Sequence, residues 1–342
     1  MKVADFHYDL PDTSIAQSAI EPRHDSRLLD TRDMSDHQFL DLPNVLEPGD
    51  LLVVNDTRVR CARLVGRRVD TGGKVELLLL EHRQDGLWDA LARPARRLRP
   101  GISLQFENLS ATVETTPDQG ILTVSLYADD EETAIAASGS VPLPPYFTGT
   151  LTDAERYQTI FARKPGSAAA PTAGLHFTDQ VLAGLDDRGV SLTTVDLHVS
   201  LDTFRPMSVE HIDDHEIHSE WCSVPAETAM RIAETRAAGG RVVAVGTTVV
   251  RTLESMADGR GGVRPGSRQT DLFLRPGARF EVVDALVTNF HMPASTLLVL
   301  LAAFMGPGWR EVYETALARG YRFLSFGDAM YVERAGTREE ET

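Results

Sequence analysis

Four histidines stand where the chain passes from one kind of element to another: His176 in GLHFT, His198 in DLHVS, His218 in EIHSEW and His291 in NFHMP. Imidazole titrates close to neutrality, so a histidine held at a strand or loop end is equipped to take or give a proton. A single such residue is usually structural; four in comparable positions point to a site. A second chemistry is written in VVAVGTTVVRTLES (242–255), which reads as strand, sharp turn and helix. Gly246 makes the turn and Thr247 or Thr248 caps the helix. Free N–H groups at such a start hold an anion such as a carboxylate, and Arg251, one turn on, would add a charged fork. The plain alternative is a capped helix with a surface arginine. Neither G-x-G-x-x-G nor a Walker pattern occurs, so dinucleotide and P-loop readings fail.

Two further stretches carry polar side chains in suggestive order. DDHEIHSEW (213–221) sets His215 and His218 three apart, with Glu216 and Glu220 beside them. If helical, both histidines share a face and a metal becomes thinkable, with a third ligand from His176, His198, His211 or His291. The spacing is not HExxH, and acid–base work or substrate hydrogen bonding suits it better. In VTNFHMPAST (287–296) a strand ends on Asn289 and His291, and Pro293 and Ser295 open a helix. Carboxyl ends of strands are where α/β sheets bind ligands.

The elements that must position these groups follow from the rest of the pattern. KPGSAAAPTAGLHFT (164–178) reads as a small-residue loop whose Thr178 caps a helix running towards Gly189. Such a loop lets a ligand approach the backbone closely. The first 50 residues read as irregular, with a short helix at 36–42. LLVVN (51–55) is a buried strand. From Asn55 to about Tyr127 short strands alternate with Gly- and Asp-containing turns, which predicts a small antiparallel barrel. A helix at 131–137 and the stiff VPLPPYF (141–147) follow, then a helix at 153–163 with Ala154, Tyr157, Ile160 and Phe161 on one face. Beyond the central loop, strands at 190–199, 241–245, 271–274, 284–290 and 321–326 alternate with helices at 226–238, 248–256, 295–305 and 309–318. That alternation predicts an α/β domain. Residues 258–269, DGRGGVRPGSRQ, read as a loose linker.

The net charge is −16 over 342 residues, which argues against a nonspecific nucleic-acid binder. Between Thr57 and Leu104, however, eleven Lys or Arg face five Asp or Glu, a local charge of about +6. Arg58, Arg60, Arg67, Arg68, Arg96 and Arg97 are the candidate contacts for an RNA; an arginine-rich solvated strand face is the alternative. Two cysteines, Cys61 and Cys222, lack metal spacing and fit a reduced cytoplasmic setting. The longest apolar run, LLVLLAAFM, is well short of the ~20 residues of a membrane span, and the first residues lack a signal-peptide core.

These motifs together resemble one family. PGDLLVVNDTRV, PLPPYF, ERYQTIFARKPGSAAAPTAGLHFT, DLHVSLDTFRP, DHEIHSEW, AVGTTVVRTLES, DALVTNFHMPASTLL and YRFLSFGDAM run in the order found in the S-adenosylmethionine:tRNA ribosyltransferase-isomerases of queuosine biosynthesis. The resemblance implies an α/β main domain (1–57 and 149–342) with an inserted small antiparallel β-barrel domain (58–148) as candidate tRNA contact. It implies transfer and isomerisation of the ribosyl part of S-adenosylmethionine onto 7-aminomethyl-7-deazaguanine at the wobble position of tRNA. Epoxyqueuosine, adenine and methionine would result, with no metal and no resident cofactor. Partners would be S-adenosylmethionine and a precursor-bearing tRNA, acted on by a cytoplasmic monomer.

Sulfonium chemistry wants a base near C5′ and an acid near the departing adenine; His176, His198, His218, Glu220 and His291 are the candidates. Tyr146, Thr172, Gly174, Phe177, Gly246, Thr247, Thr248, Arg251 and Asn289 are the expected S-adenosylmethionine contacts, with adenine stacked on Tyr146 or Phe177 and the methionyl carboxylate at Gly246–Thr248 and Arg251. Ser200 and Asp202 stand where the family usually has the glycines of HVGxGTF, which would tighten a site that relies on bare backbone. Two other classes stay open: a metal-dependent hydrolase built on His215 and His218, and an inactive tRNA-binding homologue.

Overall fold

Leu51–Asn55 is apolar up to its last residue and buried at every position, which a strand tolerates only when both faces of its sheet are covered. In the computed structural model, which describes residues 1–83, 86–149, 151, 153–200 and 206–336, this strand is an interior strand, the fourth of a nine-stranded sheet. The order is Gly266–Thr270, Glu220–Val224, Ser191–Leu197, Leu51–Asn55, Val242–Val245, Ala285–Asn289, Ala329–Glu333, Arg27–Asp30 and Ser35–Gln38. The four strands from Ser191–Leu197 to Ala285–Asn289 run parallel. Antiparallel pairs flank them, so the sheet is mixed.

Side-chain alternation divides the apolar content between the faces. Leu51, Val53, Val242 and Ala244 join one buried cluster; Leu52, Val54, Val243 and Val245 join the other. Helices Thr296–Met305 and Trp309–Ala318 pack into the first, and Asp179–Asp187 gives Val181 and Leu185 to the second. Among the described residues no helix is long and apolar enough to cross a membrane. The parallel strands finish at one edge. There Asn55 fastens two of them: its amide donates to the Leu197 carbonyl at 3.0 Å, and its side-chain oxygen accepts the N–H of Leu197 at 3.2 Å and of Thr57 at 3.1 Å.

Two compact units share the chain. The sheet belongs to the first, made of Met1–Arg58, Pro144–Lys164 and Ala170–Thr342; the second is Val59–Leu143 with Pro165–Ala169. The second unit is an antiparallel barrel of Arg63–Arg68, Lys74–His82, Leu87–Arg93, Ile121–Tyr127, Ser110–Val113 and Ser103–Gln105. It closes where Arg67 and Arg68 pair with Gln105 and Leu104. A β-carbon on Gly66 would lie 2.4 Å from the Gln105 carbonyl oxygen, so this closure requires a glycine. Val75, Leu77 and Leu79 point inward with Trp88, whose indole N–H donates to Glu131 at 2.8 Å. An α/β unit and an antiparallel barrel are the fold class expected from the sequence.

Several local expectations are corrected. The 153–163 stretch is helical only as a short 3-10 turn, Ala154–Tyr157; Gln158 is extended, and Ile160 is 42% exposed rather than on the buried face with Tyr157 and Phe161. The central loop contains a short strand, Lys164–Ser167, and a 3-10 helix, Thr172–His176. The supposed linker is ordered. Asp258 accepts the N–H groups of Arg260 and Gly262 at 2.7 and 3.1 Å, and Gly266–Thr270 pairs with Glu220–Val224 as an edge strand in place of one at 271–274. The last strand is Ala329–Glu333, not 321–326, where Leu324 takes a φ of 69°. Residues 35–38 form a strand, and the short helix follows at Leu42–Val45.

Candidate active site

At the carboxyl edge of the parallel strands lies a recess of about 600 Å³, solvent-open space included. Gly246, Thr247 and Thr248 form one wall; Thr288, Asn289, His291 and Met292 form a second. Ala170–Ala173 in the central loop, Tyr146, Val199, Ser295, Leu297, Leu324 and Ser325 complete it, and all belong to the first unit.

The wall at Gly246 is built by backbone conformation. Gly246 has φ +87° and sits 3.6 Å from the Ala173 β-carbon, measured to the position its own β-carbon would take. It is itself the residue before the helix, which starts at Thr247; no threonine hydroxyl caps it, contrary to expectation. The opening amides of a helix have no intrahelical acceptor, and they carry the positive end of its dipole. Thr248 is 8% exposed, and its hydroxyl has no hydrogen-bond partner among the described residues. Uncapped amides and an unpartnered hydroxyl therefore share one wall.

The second wall carries His291. Its backbone is held on both sides: the amide donates to the Tyr313 hydroxyl at 2.9 Å, and the carbonyl accepts from the Tyr8 hydroxyl at 2.5 Å. Nε2 lies 3.2 Å from the Thr288 hydroxyl, the ring's one hydrogen-bond partner among the described residues. Burial pulls its pKa down to about 3, so the ring is neutral at pH 7.

His176 is not on the recess wall. Asn289 stands between: its side-chain oxygen accepts from the Thr172 hydroxyl at 2.9 Å, and its amide donates to His176 Nε2 at 3.1 Å. With Nε2 accepting, the ring proton sits on Nδ1, which donates to Ser26 Oγ at 2.7 Å. Both ring nitrogens are thus engaged. Burial, with the Arg322, Arg156 and Arg23 guanidiniums, lowers its pKa to about 3.

The two buried neutral rings carry a stability consequence. The unfolded chain binds these protons near pH 6.5 and the folded chain only near pH 3, so stability falls as pH drops through that window and is unaffected above it. At pH 5 the loss is about 2 kcal/mol per histidine. Urea unfolding of a His176→Gln variant should show a visibly shallower decline between pH 7 and 5 than the parent; equal slopes would mean the ring is not held neutral.

The remaining candidates are dispersed. Tyr146 lines the recess, its hydroxyl bonded to Ser325 and its pKa pushed up to about 12 by burial. Phe177 does not: it is fully buried against Phe39 and Phe161, so it offers no face to an adenine. Gly174 packs against Thr159. Arg251 and Glu220 are buried in an ion pair with each other, outside the recess. Glu220 also accepts the Ser200 N–H at 2.8 Å, and Arg251 donates to the Leu272 carbonyl at 3.2 Å. The arginine is spent inside the fold, not presented as a fork. His198 is not on the recess wall: its ring packs tilted against Trp221 at 4.5 Å and lies 3.7 Å from Asp196, while its neighbour Val199 lines the recess. His218 is exposed on an irregular stretch before Glu220–Val224, so His215 and His218 share no helical face. Asp202 lies outside the described residues.

Of the six arginines, Arg58 pairs with Glu155 in the first unit. In the barrel Arg60 pairs with Glu132 at 3.1 Å and Arg68 with Asp70 at 2.6 Å. Arg67, Arg96 and Arg97 are exposed. The residues that sequence reasoning missed are Thr288, Leu324 and Ser325; the positive φ of Leu324, a side chain that rarely adopts it, marks the place in hindsight.

The family profile described as Queuosine biosynthesis protein matches residues 3–332. An S-adenosylmethionine:tRNA ribosyltransferase-isomerase of Anaeromyxobacter sp. (strain Fw109-5) is 51% identical over 98% of this chain and 100% of the relative. One of Symbiobacterium thermophilum is 48% identical over 97% and 100%. A solved S-adenosylmethionine tRNA ribosyltransferase from Thermotoga maritima is 37% identical, covers 96% of this chain and 99% of its own, and superposes with a TM-score of 0.54. With a recess at the sheet's carboxyl edge and a match that spans nearly every residue, the chain belongs to the queuosine biosynthesis family of S-adenosylmethionine:tRNA ribosyltransferase-isomerases.

Proposed function

We infer that the chain transfers the ribosyl moiety of S-adenosylmethionine to 7-aminomethyl-7-deazaguanine at the wobble position of tRNA and isomerises it, giving epoxyqueuosine-tRNA with release of adenine and methionine. The observation that carries this is the family match over residues 3–332. S-adenosylmethionine is consumed, so no resident cofactor is needed; the enzyme works as a monomer in the cytoplasm. Incubation with S-adenosylmethionine and precursor-bearing tRNA should release adenine in step with RNA modification, and RNA modified without adenine release would refute the reading. Nothing favours the hydrolase, whose two histidines lie on no common helix face.

Within the recess, the methionyl carboxylate takes the start of helix Thr247–Ser255, where the dipole, the first amides and the Thr248 hydroxyl await an acceptor. Adenine lies along Tyr146, which lines the recess where Phe177 does not. His291 is the base for the C5′ proton that the sulfonium acidifies: it faces the recess and its neutral form has a lone pair to use. The imidazolium formed by abstraction is the acid that meets departing adenine. His176 acts one contact back, fixing the Asn289 amide. Thr248→Val should weaken S-adenosylmethionine binding by about tenfold, the value of one charge-assisted hydrogen bond, without lowering the melting temperature, because no protein partner is lost. Calorimetric titration and thermal unfolding of the same sample check both halves.

A further inference from the structure

A second, smaller pocket adjoins the recess; Ser325 lines both. Arg23, Arg156 and Arg322 converge on it from three separate segments, and Ser26 and His176 also line it. Their charges are partly offset by Glu21, Asp153, Glu155 and Asp328, but most of their hydrogen bonds go to neutral carbonyls. Arg23 donates to the carbonyls of Gln158 and Glu155 at 2.7 and 3.0 Å, and Arg322 to those of Ser18 and Phe326, both at 3.0 Å. Arg156 donates to the Ile20 carbonyl at 2.6 Å and pairs with Glu21, a carboxylate 66% exposed. Asp328 is 3.9 Å from Arg322, but its oxygens already accept the backbone amides of Arg27 and Arg322 at 3.0 and 2.8 Å. Neutral carbonyls orient a guanidinium without cancelling its charge. Burial first and repulsion from Arg156 second lower the Arg23 pKa, against the opposing pull of Glu21, Asp153 and Glu155. An anion in the hollow would relieve that repulsion.

We propose that Arg23, Arg156 and Arg322 seat a backbone phosphate of the substrate RNA beside the target nucleotide, whose base enters the adjoining recess. This rests on the RNA-modifying reading above. Charge decides against the other substrate: S-adenosylmethionine carries a sulfonium and an ammonium against one carboxylate, so three guanidiniums repel it as a whole. A phosphodiester is singly negative and offers two free oxygens to planar forks. The seat holds the strand in register while the recess reads the base.

The test uses the full-length enzyme and an anticodon stem-loop RNA bearing the precursor base, followed by fluorescence anisotropy across a salt series. Arg322→Gln should weaken RNA binding about tenfold to a hundredfold, the loss expected for charge-assisted contacts, and make the salt slope shallower by ~0.7 for one phosphate. The dissociation constant for S-adenosylmethionine should move less than about twofold. A methylphosphonate placed singly at each linkage around the target nucleotide should cost the parent enzyme a similar factor at one position, and cost Arg322→Gln nothing further there. The parent-enzyme half of that arm alters only the RNA, so the loss at a single linkage stands even if the variant folds poorly. Unchanged salt slope, additive losses at every linkage, or a loss confined to S-adenosylmethionine binding would overturn the seat. Parent enzyme that binds the RNA yet releases no adenine would refute the proposed reaction and leave the seat intact.

Discussion

His291→Asn should lower single-turnover adenine release by about a thousandfold while S-adenosylmethionine still binds, since a positioned acid–base group contributes roughly 10²–10⁴. The expectation follows from position first. The ring lines the recess, its backbone is clamped by Tyr313 and Tyr8, and one nitrogen rests against Thr288. It follows from protonation second. Burial keeps the ring neutral down to about pH 3, so the rate should not fall through an ordinary histidine titration between pH 7.5 and 5.5. An acid limb near pH 6.5 that vanishes in His291→Asn would show a base with an unshifted pKa and would contradict the burial argument. His176→Asn is the informative companion. Its ring reaches the recess only through Asn289, so its loss should be smaller and should fall on substrate affinity as much as on turnover. Full retention of activity in His291→Asn with a collapse in His176→Asn would reverse the two assignments.

How far the sequence reached is best seen in particular residues. The buried strands LLVVN and VVAV were legible because apolar runs bounded by turns have few other uses. The barrel was legible because alternation and turn residues repeat at short intervals. The helix capped by Thr178 and the one capped by Ser295 began where their hydroxyls said they would. The recess was half legible. Gly246, Thr247, Thr248, Thr172, Asn289, His291 and Tyr146 do meet on it. Burial of polar groups was not legible, because it depends on which distant segment lies opposite. Arg251 looks in sequence like a ligand fork one turn into a helix; Glu220, 31 residues away, claims it. Phe177 looks like a stacking platform beside His176, yet Phe39 and Phe161 enclose it. The arginines of the second pocket lie in stretches read as irregular, as a longer helix and as a final strand, and no spacing rule joins them.

Breaking the Glu220–Arg251 pair should be the most damaging single change to stability, at about 3–5 kcal/mol for either Glu220→Gln or Arg251→Met, because each leaves a buried charge without its partner. The side chains are 3% and 7% exposed, so water cannot take the partner's place. The carboxylate's second duty raises the stake: it accepts the Ser200 amide, at the end of the strand that feeds Val199 to the recess. The arginine's Nη2 is already buried without an acceptor among the described residues, so the pair has no slack to lose. Replacing both residues together, Glu220→Leu with Arg251→Met, should recover most of the loss, since an apolar pair of similar volume avoids the desolvation of either ion. Urea unfolding of Glu220→Leu, Arg251→Met and the double variant forms the cycle. The same proteins decide whether the pair binds substrate. If Arg251 gripped the methionyl carboxylate, Arg251→Met would be near-normal in stability and deficient in S-adenosylmethionine affinity, and the double variant would stay deficient. Instability in each single variant, relieved in the double with affinity largely restored, is the pattern that a purely internal ion pair demands.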